Sequence, residues 1–254
     1  MTRVNETLPG LSTIRLAAMS LDAWRVVESQ FITSTRKLVD SDEEQEMLER
    51  MLDAVKPPIP GDPRLARLHF LLYTSFRHAP LPRGSRFGTR AEGGIWYGSL
   101  VLPTAFAEVA YYRLVFLDGT AADLGTVTVE LSAFQAAIRT AKGLDLTRTP
   151  FAEHRSRISS KTSYSNSQRL GREMRDRGVE VAIYHSARAA DGGKNIALFV
   201  PAFGRRTPSG LSTWVCTATR EGVQISKKDV LRKQRYTFER AQFEVGGRLP
   251  APAL

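Results

Sequence analysis

The spacing of apolar residues predicts helices in the first part of the chain. Across residues 21–38, apolar side chains recur at roughly the spacing of one helical face, at Leu21, Trp24, Val27 and Phe31. Ser41 followed by Glu44 is a capping-box pattern and begins a second predicted helix, DEEQEMLERMLDAV. The proline-rich stretch 56–61 ends this helix, because proline cannot continue one. We therefore expect residues 1–60 to form a helical N-terminal extension.

From residue 65 onward, the pattern changes to short strands that alternate with helices. Short apolar or β-branched runs predict strands over 68–76, 95–101, 125–132, 179–184, 195–200 and 212–219. Pro103 predicts the start of a helix through TAFAEVAYYRLVFL, and a second helix is predicted over 166–178. Residues 77–94 and 140–164 are expected to be irregular. Together these elements predict an α+β fold with a mixed sheet over residues 61–254.

Composition limits the class of protein without selecting a function. The 254 residues are 42% hydrophobic and 24% charged, as in an ordinary globular protein, and no apolar run is long enough to span a membrane. Cys216 is the single cysteine, which excludes a disulfide framework within the chain and, with no signal-peptide pattern, favours the cytoplasm. The net charge of +10 favours an anionic partner. The four histidines are far apart in sequence, so no metal site is indicated.

A loop rich in arginine and glycine, FRHAPLPRGSRFGTR, is the first candidate for a site. It contains Arg77, Arg86 and Arg90, whose guanidinium groups are suited to phosphate oxygens, and glycines that let the backbone approach a ligand. This pattern is compatible with binding a diphosphate and also with a solvated basic loop. It is neither a Walker A sequence nor a GxGxxG fingerprint.

Three further residues carry side chains with useful chemistry. Tyr97 lies on a strand that leads into the helix of Glu108; the tyrosine can stack on a ring, or it can be an ordinary core aromatic. Glu108 has mostly apolar neighbours, where a carboxylate is costly unless it is paired, exposed or part of a site. Ser186 follows a predicted strand, where site residues are common. Its neighbour His185 would point the other way in an extended segment, and no G-x-S-x-G sequence is present, so serine-hydrolase chemistry is not indicated.

Taken in order, these segments resemble the RES family, which is named for its Arg, Glu and Ser. The resemblance covers roughly residues 65–220. It rests on Phe76-Arg77, Gly84-Ser85-Arg86-Phe87, Tyr97, Ala105-Phe106-Ala107-Glu108, Ser186-Ala187-Arg188 and Gly193-Lys194-Asn195. Gly-Ser-Arg-Phe stands where Gly-Gly-Arg-Trp is more usual in the family. The order of the segments, and the step from Tyr97 to Glu108, give the set its specificity.

The resemblance implies a fold similar to ADP-ribosyltransferase toxins and the activity of a toxin from a toxin–antitoxin pair. Such a toxin degrades NAD⁺ at the nicotinamide–ribose bond, with phosphate or water as acceptor, and NAD⁺ is then the substrate, with no separate cofactor. The expected partner is an antitoxin of helix-turn-helix type, so that contact with nucleic acid is indirect, through the antitoxin. The state of oligomerisation stays open.

The resemblance also implies roles for individual residues. Arg77, Arg86 and Arg90 would bind the diphosphate, and which of the loop arginines is essential stays open. Tyr97 would stack against the nicotinamide, and Glu108 would bind a ribose hydroxyl and stabilise the cationic transition state. Ser186 would hold the ribose or orient the glutamate.

Two alternatives remain at this point. The first is an ADP-ribosyltransferase that uses the same pocket and transfers to a protein. The second is a basic nucleic-acid-binding module without catalysis, favoured by the charge of +10 and by the cluster Lys227, Lys228, Arg232, Lys233 and Arg235. Against this module, the sequence has no helix-turn-helix, RRM or zinc pattern.

Overall fold

A single mixed sheet organises the part of the chain that the computed structural model describes, residues 8–29, 39–229, 231 and 233–253. Its strands are β1 (Ala17–Glu28), β2 (Trp96–Ser99), β3 (Val127–Asp145), β4 (Val181–His185), β5 (Lys194–Leu198), β6 (Ser209–Ala218), β7 (Gly222–Lys227) and β8 (Arg235–Glu239). The strand order is β1-β2-β5-β4-β3-β6-β7-β8. Strands β3 and β4 run parallel, and the other pairings between these strands are antiparallel. The predicted α+β fold with a mixed sheet is confirmed.

Strand β1 closes part of this sheet into a ring. It pairs with β3 from Ala17 to Glu28 and also with β2, where Trp24 lies opposite Ser99. Strands β1, β2, β5, β4 and β3 therefore form a closed circuit, while β6, β7 and β8 extend the sheet from the other edge of β3. Because β1 and β2 pair at a single position, the two strands diverge on either side of it, and a gap opens between them.

Five helices accompany the sheet in the described residues: α1 (Asp42–Ala54), α2 (Phe70–Arg77), α3 (Leu102–Gly119), α4 (Arg155–Ile158) and α5 (Ser165–Asp176). Helix α3 has Pro103 in its first turn, as predicted, and buries one face against the sheet. Phe106 on that face packs against Trp214 of β6, in a cluster that also contains Phe243 near the C-terminus. This packing fixes the position of α3 beside the sheet.

The predicted helix over 21–38 is wrong for the residues that form β1. Both faces of this strand are covered: Ala23 and Val27 pack in one apolar cluster, and Trp24 and Val26 pack against another. Apolar residues consequently occur at odd and even positions, which removes the alternation that identifies a strand and imitates helical spacing. Residues 30–38, which include Phe31, lie outside the described residues.

Other segments also differ from the sequence-based expectations. Residues 68–76, predicted as a strand, form α2, whose N-cap His69 accepts the backbone N–H of Leu71 through Nδ1 at 3.3 Å. A short apolar run fits the residue spacing of a strand and of a helix equally well. In this segment the hydrogen bond from the N-cap His69 favours the helix. Strand β3 continues to Asp145, within the segment expected to be irregular, because β1 pairs along it as far as Gly143.

The basic cluster Lys227 to Arg235 falls at the connection between β7 and β8, two strands that were not predicted. Lys227 forms an ion pair with Asp229 at 3.1 Å, and Arg232 lies outside the described residues.

In the N-terminal part, helix α1 agrees with the prediction, including the capping-box hydrogen bond from Glu44 N–H to Ser41 Oγ at 3.1 Å. The division of the chain at residue 60 stays a prediction, with β1 as a member of the common sheet.

Candidate active site

A cavity of about 500 Å³ lies between α3 and strands β1 and β2. Residues between Ala105 and Phe116 of α3 line it, so the cavity runs along about three turns of this helix. Its polar lining includes Ser85, Arg86, Tyr97, Glu108, Tyr164 and Asn195. Further along α3, the lining includes Val26, Val109, Phe116 and Leu131. A volume of this size and a mixed polar and apolar lining are typical of small-molecule sites.

Glu108 is held in the cavity wall by two hydrogen bonds to the same oxygen. Ser186 Oγ donates to Glu108 Oε1 at 2.7 Å, and Asn195 Nδ2 donates to the same atom at 2.6 Å. Asn195 is itself oriented by Ser99, whose hydroxyl donates to Asn195 Oδ1 at 2.7 Å. In the described part of the chain, no hydrogen bond is made to Glu108 Oε2. One carboxylate oxygen is thus fixed, and the other is available to a ligand.

Ser186 is tied into the backbone that follows β4. Its Oγ accepts the N–H groups of Arg188 and Ala189, each at 3.0 Å, while its own hydroxyl proton goes to Glu108. A hydroxyl has one donor and two acceptor positions, so all three are used. His185 Nδ1 contacts the carbonyl of Gly192 at 3.2 Å instead of the serine. The arrangement makes Ser186 a support for Glu108, and it lacks the contact with His185 that a serine–histidine pair would have.

The turn at residues 84–88 presents Arg86 to the cavity. Gly84 has a φ of +81°, which favours glycine, and Ser85 N–H donates to the carbonyl of Gly88 at 2.7 Å. Arg86 is only 8% exposed and its Nη1 donates to the carbonyls of Ile158 and Ser160, both at 3.1 Å. Its guanidinium carbon also lies 4.8 Å from the ring centre of Tyr164. These contacts fix the cation at the cavity wall without neutralising it.

Tyr97 holds this turn in place. Its hydroxyl accepts the N–H of Phe87 at 3.1 Å and shares a hydrogen bond with Ser85 Oγ at 2.9 Å. Burial raises the pKa of Tyr97 to about 12, so the phenol is neutral at physiological pH. The ring lies edge-on to Tyr184, with centroids 6.5 Å apart. Tyr97 therefore lines the cavity and also holds the turn that carries Arg86 in position.

We expect Tyr97→Phe to lower the free energy of unfolding by about 1–3 kcal/mol, because the buried N–H of Phe87 would lose its acceptor. Chemical denaturation measures this loss. Ser85→Ala is the matched control, since it removes the other hydroxyl but leaves the bond from Phe87 to Tyr97 intact. Its effect should be less than half as large. Equal losses in the two variants would contradict the role given to the tyrosine hydroxyl.

The structure does not bring all the predicted arginines to the cavity. Arg77 is the last residue of α2, and its Nε donates to the carbonyl of Pro57. Arg90, the last residue of the loop, is exposed, and neither Arg77 nor Arg90 lines the cavity. Of the three arginines predicted to bind the diphosphate, Arg86 lines the same cavity as Glu108 and Tyr97. The positions of Arg77 and Arg90 do not support that role for them.

Asn195 and Arg25 are among the cavity residues that the sequence did not indicate. Asn195 belongs to the Gly-Lys-Asn segment of the resemblance, and its place on β5 next to Glu108 could have been inferred from that motif. Arg25 lies on β1, in a segment that had been predicted as a helix outside the resemblance, so no sequence signal connected Arg25 to the site.

Among the described residues, no cluster of three or more His, Cys, Asp or Glu side chains is arranged to hold a metal ion. No helix among them is long and apolar enough to cross a membrane.

Comparisons with known proteins add an independent observation. The family model described as RES domain matches residues 63–217. Among solved structures, the chain is similar to a chain in the crystal structure of the M. tuberculosis MbcT-MbcA toxin-antitoxin complex, with 13% sequence identity and a TM-score of 0.42. The similarity covers 81% of this chain and 87% of that chain. No curated protein matches the chain.

Proposed function

The chain belongs to the RES-domain family, and on this basis we propose that it is the toxin of a toxin–antitoxin pair that cleaves the nicotinamide–ribose bond of NAD⁺. The observation that carries the proposal is the fixed carboxylate of Glu108 in a cavity of about 500 Å³. The same cavity contains a buried cation, Arg86, and the aromatic side chains of Tyr97 and Tyr184. A dinucleotide has an anionic, a sugar and an aromatic part, and the lining offers a suitable group for each.

Glu108 is the residue best placed to act on the ribose. Departure of nicotinamide leaves positive charge on the ribose ring, as in glycoside hydrolysis. A carboxylate that is already oriented stabilises this charge without reorganising, and preorganised charge is often the largest contribution to catalysis. Both fixing bonds go to Oε1, so Oε2 can accept a ribose hydroxyl or face the cationic carbon. Ser186 and Asn195 act by holding the carboxylate in this orientation.

The remaining polar groups suit the rest of the substrate. Arg86 would bind a diphosphate oxygen, because its guanidinium is fixed by carbonyls and stacked over Tyr164 but has no carboxylate bonded to it. The neutral phenols of Tyr97 and Tyr184 would form the walls against which nicotinamide packs, since burial raises the pKa of both. The nicotinamide would then leave as a neutral molecule into an environment of neutral rings.

The acceptor and the partner follow from the family rather than from contacts in this chain. We propose phosphate or water as the acceptor and an antitoxin of helix-turn-helix type as the inhibitor. An antitoxin that covers this cavity would exclude NAD⁺ directly. Transfer to a protein would use the same pocket, and the products distinguish the three reactions.

The test is to incubate the purified protein with NAD⁺, with and without millimolar phosphate, and to follow nicotinamide and the ribosyl product. Release of nicotinamide supports the proposal. Free ADP-ribose would identify water as the acceptor, and ADP-ribose phosphorylated at the anomeric carbon would identify phosphate. Intact NAD⁺ in both conditions, together with label from NAD⁺ on proteins of a lysate, would replace the proposal with protein ADP-ribosylation.

A further inference from the structure

Strand β1 forms one wall of the cavity although it lies outside residues 63–217, which match the family model. Residues Trp24 to Glu28 all contribute to the lining. They reach this position because β1 pairs with β3 along its length and meets β2 only at Trp24 and Ser99. The site therefore depends on a segment that the family pattern does not include.

Arg25 is the charged residue that β1 places in the gap between itself and β2. Its Nη1 donates to the carbonyl of Tyr97 at 2.9 Å, and its guanidinium carbon lies 5.2 Å from the ring centre of Trp96. The carbonyl takes one of the five N–H donors that a guanidinium carries. Burial lowers the pKa of Arg25 to about 10, which still leaves the group charged at pH 7.

Among the charged groups that line the cavity, Arg25 and Arg86 are the cations without a carboxylate partner in the described residues. Arg113 forms an ion pair with Glu28 at 2.6 Å, which neutralises both. Arg86 is bonded to two carbonyls, and Glu108 to two neutral donors. Within the described residues, Arg25 has no carboxylate within ion-pair distance, and no acidic residue acts on its pKa. Arg25 is a partly buried cation without a counter-ion, and it is stabilised when an anion joins it.

We propose that Arg25 binds a phosphate-type oxyanion in this cavity, so that β1 is part of the ligand-binding site. The inference rests on the proposed function for the identity of the substrate. Arg25 and Arg86 lie on different elements that line the same cavity, and Arg25 is linked by its bond to Tyr97 to the residue that positions the turn of Arg86. A buried guanidinium, Arg86, and a partly buried one, Arg25, around one cavity suit a ligand with more than one negative oxygen.

Two sources can supply this oxyanion: the diphosphate of the dinucleotide, or the free phosphate that acts as acceptor. Both present oxygens to which a guanidinium can donate two bonds. The two sources are distinguished by the Michaelis constant that changes when Arg25 is replaced. Loss of a diphosphate contact raises KM for NAD⁺, whereas loss of an acceptor contact raises KM for phosphate.

The first measurement is direct binding of inorganic pyrophosphate, followed by tryptophan fluorescence, since Trp24 and Trp96 both lie close to Arg25. Arg25→Met keeps most of the apolar volume and removes the charge, and Arg25→Lys keeps the charge. We expect the methionine variant to bind pyrophosphate roughly 10- to 100-fold more weakly, with binding largely retained by the lysine variant. Arg139→Met, at an exposed position of β3 outside the cavity, is the control and should bind like the wild type.

Steady-state kinetics of the same variants then separates the sources. An increase in KM for NAD⁺ in Arg25→Met assigns the diphosphate, and an increase in KM for phosphate alone assigns the acceptor. Equal weakening in the methionine and lysine variants, with a matching loss of thermal stability, would mean that Arg25 only packs against Trp96 and bonds to Tyr97, and would overturn the inference.

Failure of the inference and failure of the proposed function give different results. A wild-type protein that cleaves NAD⁺, with Arg25→Met equal to it in both Michaelis constants and in pyrophosphate binding, overturns the inference alone. A wild-type protein that leaves NAD⁺ intact but binds pyrophosphate through Arg25 contradicts the proposed reaction and supports the anion site.

Discussion

Replacement of Glu108 by glutamine is expected to lower kcat for nicotinamide release by about 10³-fold, the size of effect seen when a preorganised electrostatic group is removed. The amide oxygen of glutamine can still accept hydrogen bonds from Ser186 and Asn195, so the shape of the site is retained. What is lost is the negative charge that would face the developing cation. Binding of NAD⁺ should change much less than turnover, because the ground state of the ribose carries little of that charge.

The measurement is the initial rate of nicotinamide release at saturating NAD⁺. Glu153→Gln is the control: it removes an exposed carboxylate in the 3₁₀ turn Ala152–His154, outside the cavity, and should leave the rate unchanged. A Glu108→Gln variant with kcat within threefold of the wild type would exclude the glutamate as the catalytic carboxylate.

Gly171→Ala should be strongly destabilising although it adds a single methyl group. Gly171 lies in α5 against the backbone of the turn that carries Arg86, and an added Cβ would lie 2.0 Å from the carbonyl oxygen of Phe87. Backbone atoms cannot rotate away, so the helix or the turn must shift. Alanine gains about 1 kcal/mol of helix propensity, but overpacking of this kind costs more, and we expect the free energy of unfolding to fall by about 2–3 kcal/mol.

The same displacement should reach the cavity. Phe87 is wedged edge-on against Tyr184, with ring centroids 4.9 Å apart, and its neighbour Arg86 would move with it. We therefore expect a drop in thermal midpoint of about 5–10 °C, accompanied by a rise in KM for NAD⁺. Gly119→Ala, at the end of α3, meets no heavy atom within 4 Å and should be neutral or slightly stabilising. An equal effect of the two substitutions would show that the contact with Phe87 has no special importance.

The sequence predicted well those elements whose two faces differ or whose ends carry clear signals. Pro103 identified the start of α3, and thereby the helix that carries Glu108. The segments of the RES resemblance contained Arg86 and Tyr97, which line one cavity, and Ser186, which donates a hydrogen bond to Glu108 in the wall of that cavity. No local pattern on its own would have joined them, because they lie on a turn, a strand and a strand end that are distant in sequence.

The failures have a common physical origin in tertiary contacts. Strand β1 has apolar residues on both faces because both faces are covered, and its period was therefore misread. Arg25 was missed for the same reason: a residue on a helix predicted to lie outside the catalytic domain was not expected to line the cavity. Arg77 was included because it resembles a ligand in sequence, whereas the position of its helix takes it to the carbonyl of Pro57.

The pairing of β1 with β3 also has a consequence for the order of assembly. Trp24 and Gln135 are opposite each other in the sheet although more than 100 residues separate them in the chain. During synthesis, most of β1 has no partner until β3 has emerged, because β1 pairs with β2 at one position only, and contacts between such distant segments form late and slowly. The wall that contains Arg25 is therefore missing from nascent chains that end before β3, and the cavity is complete only after β3 has been translated.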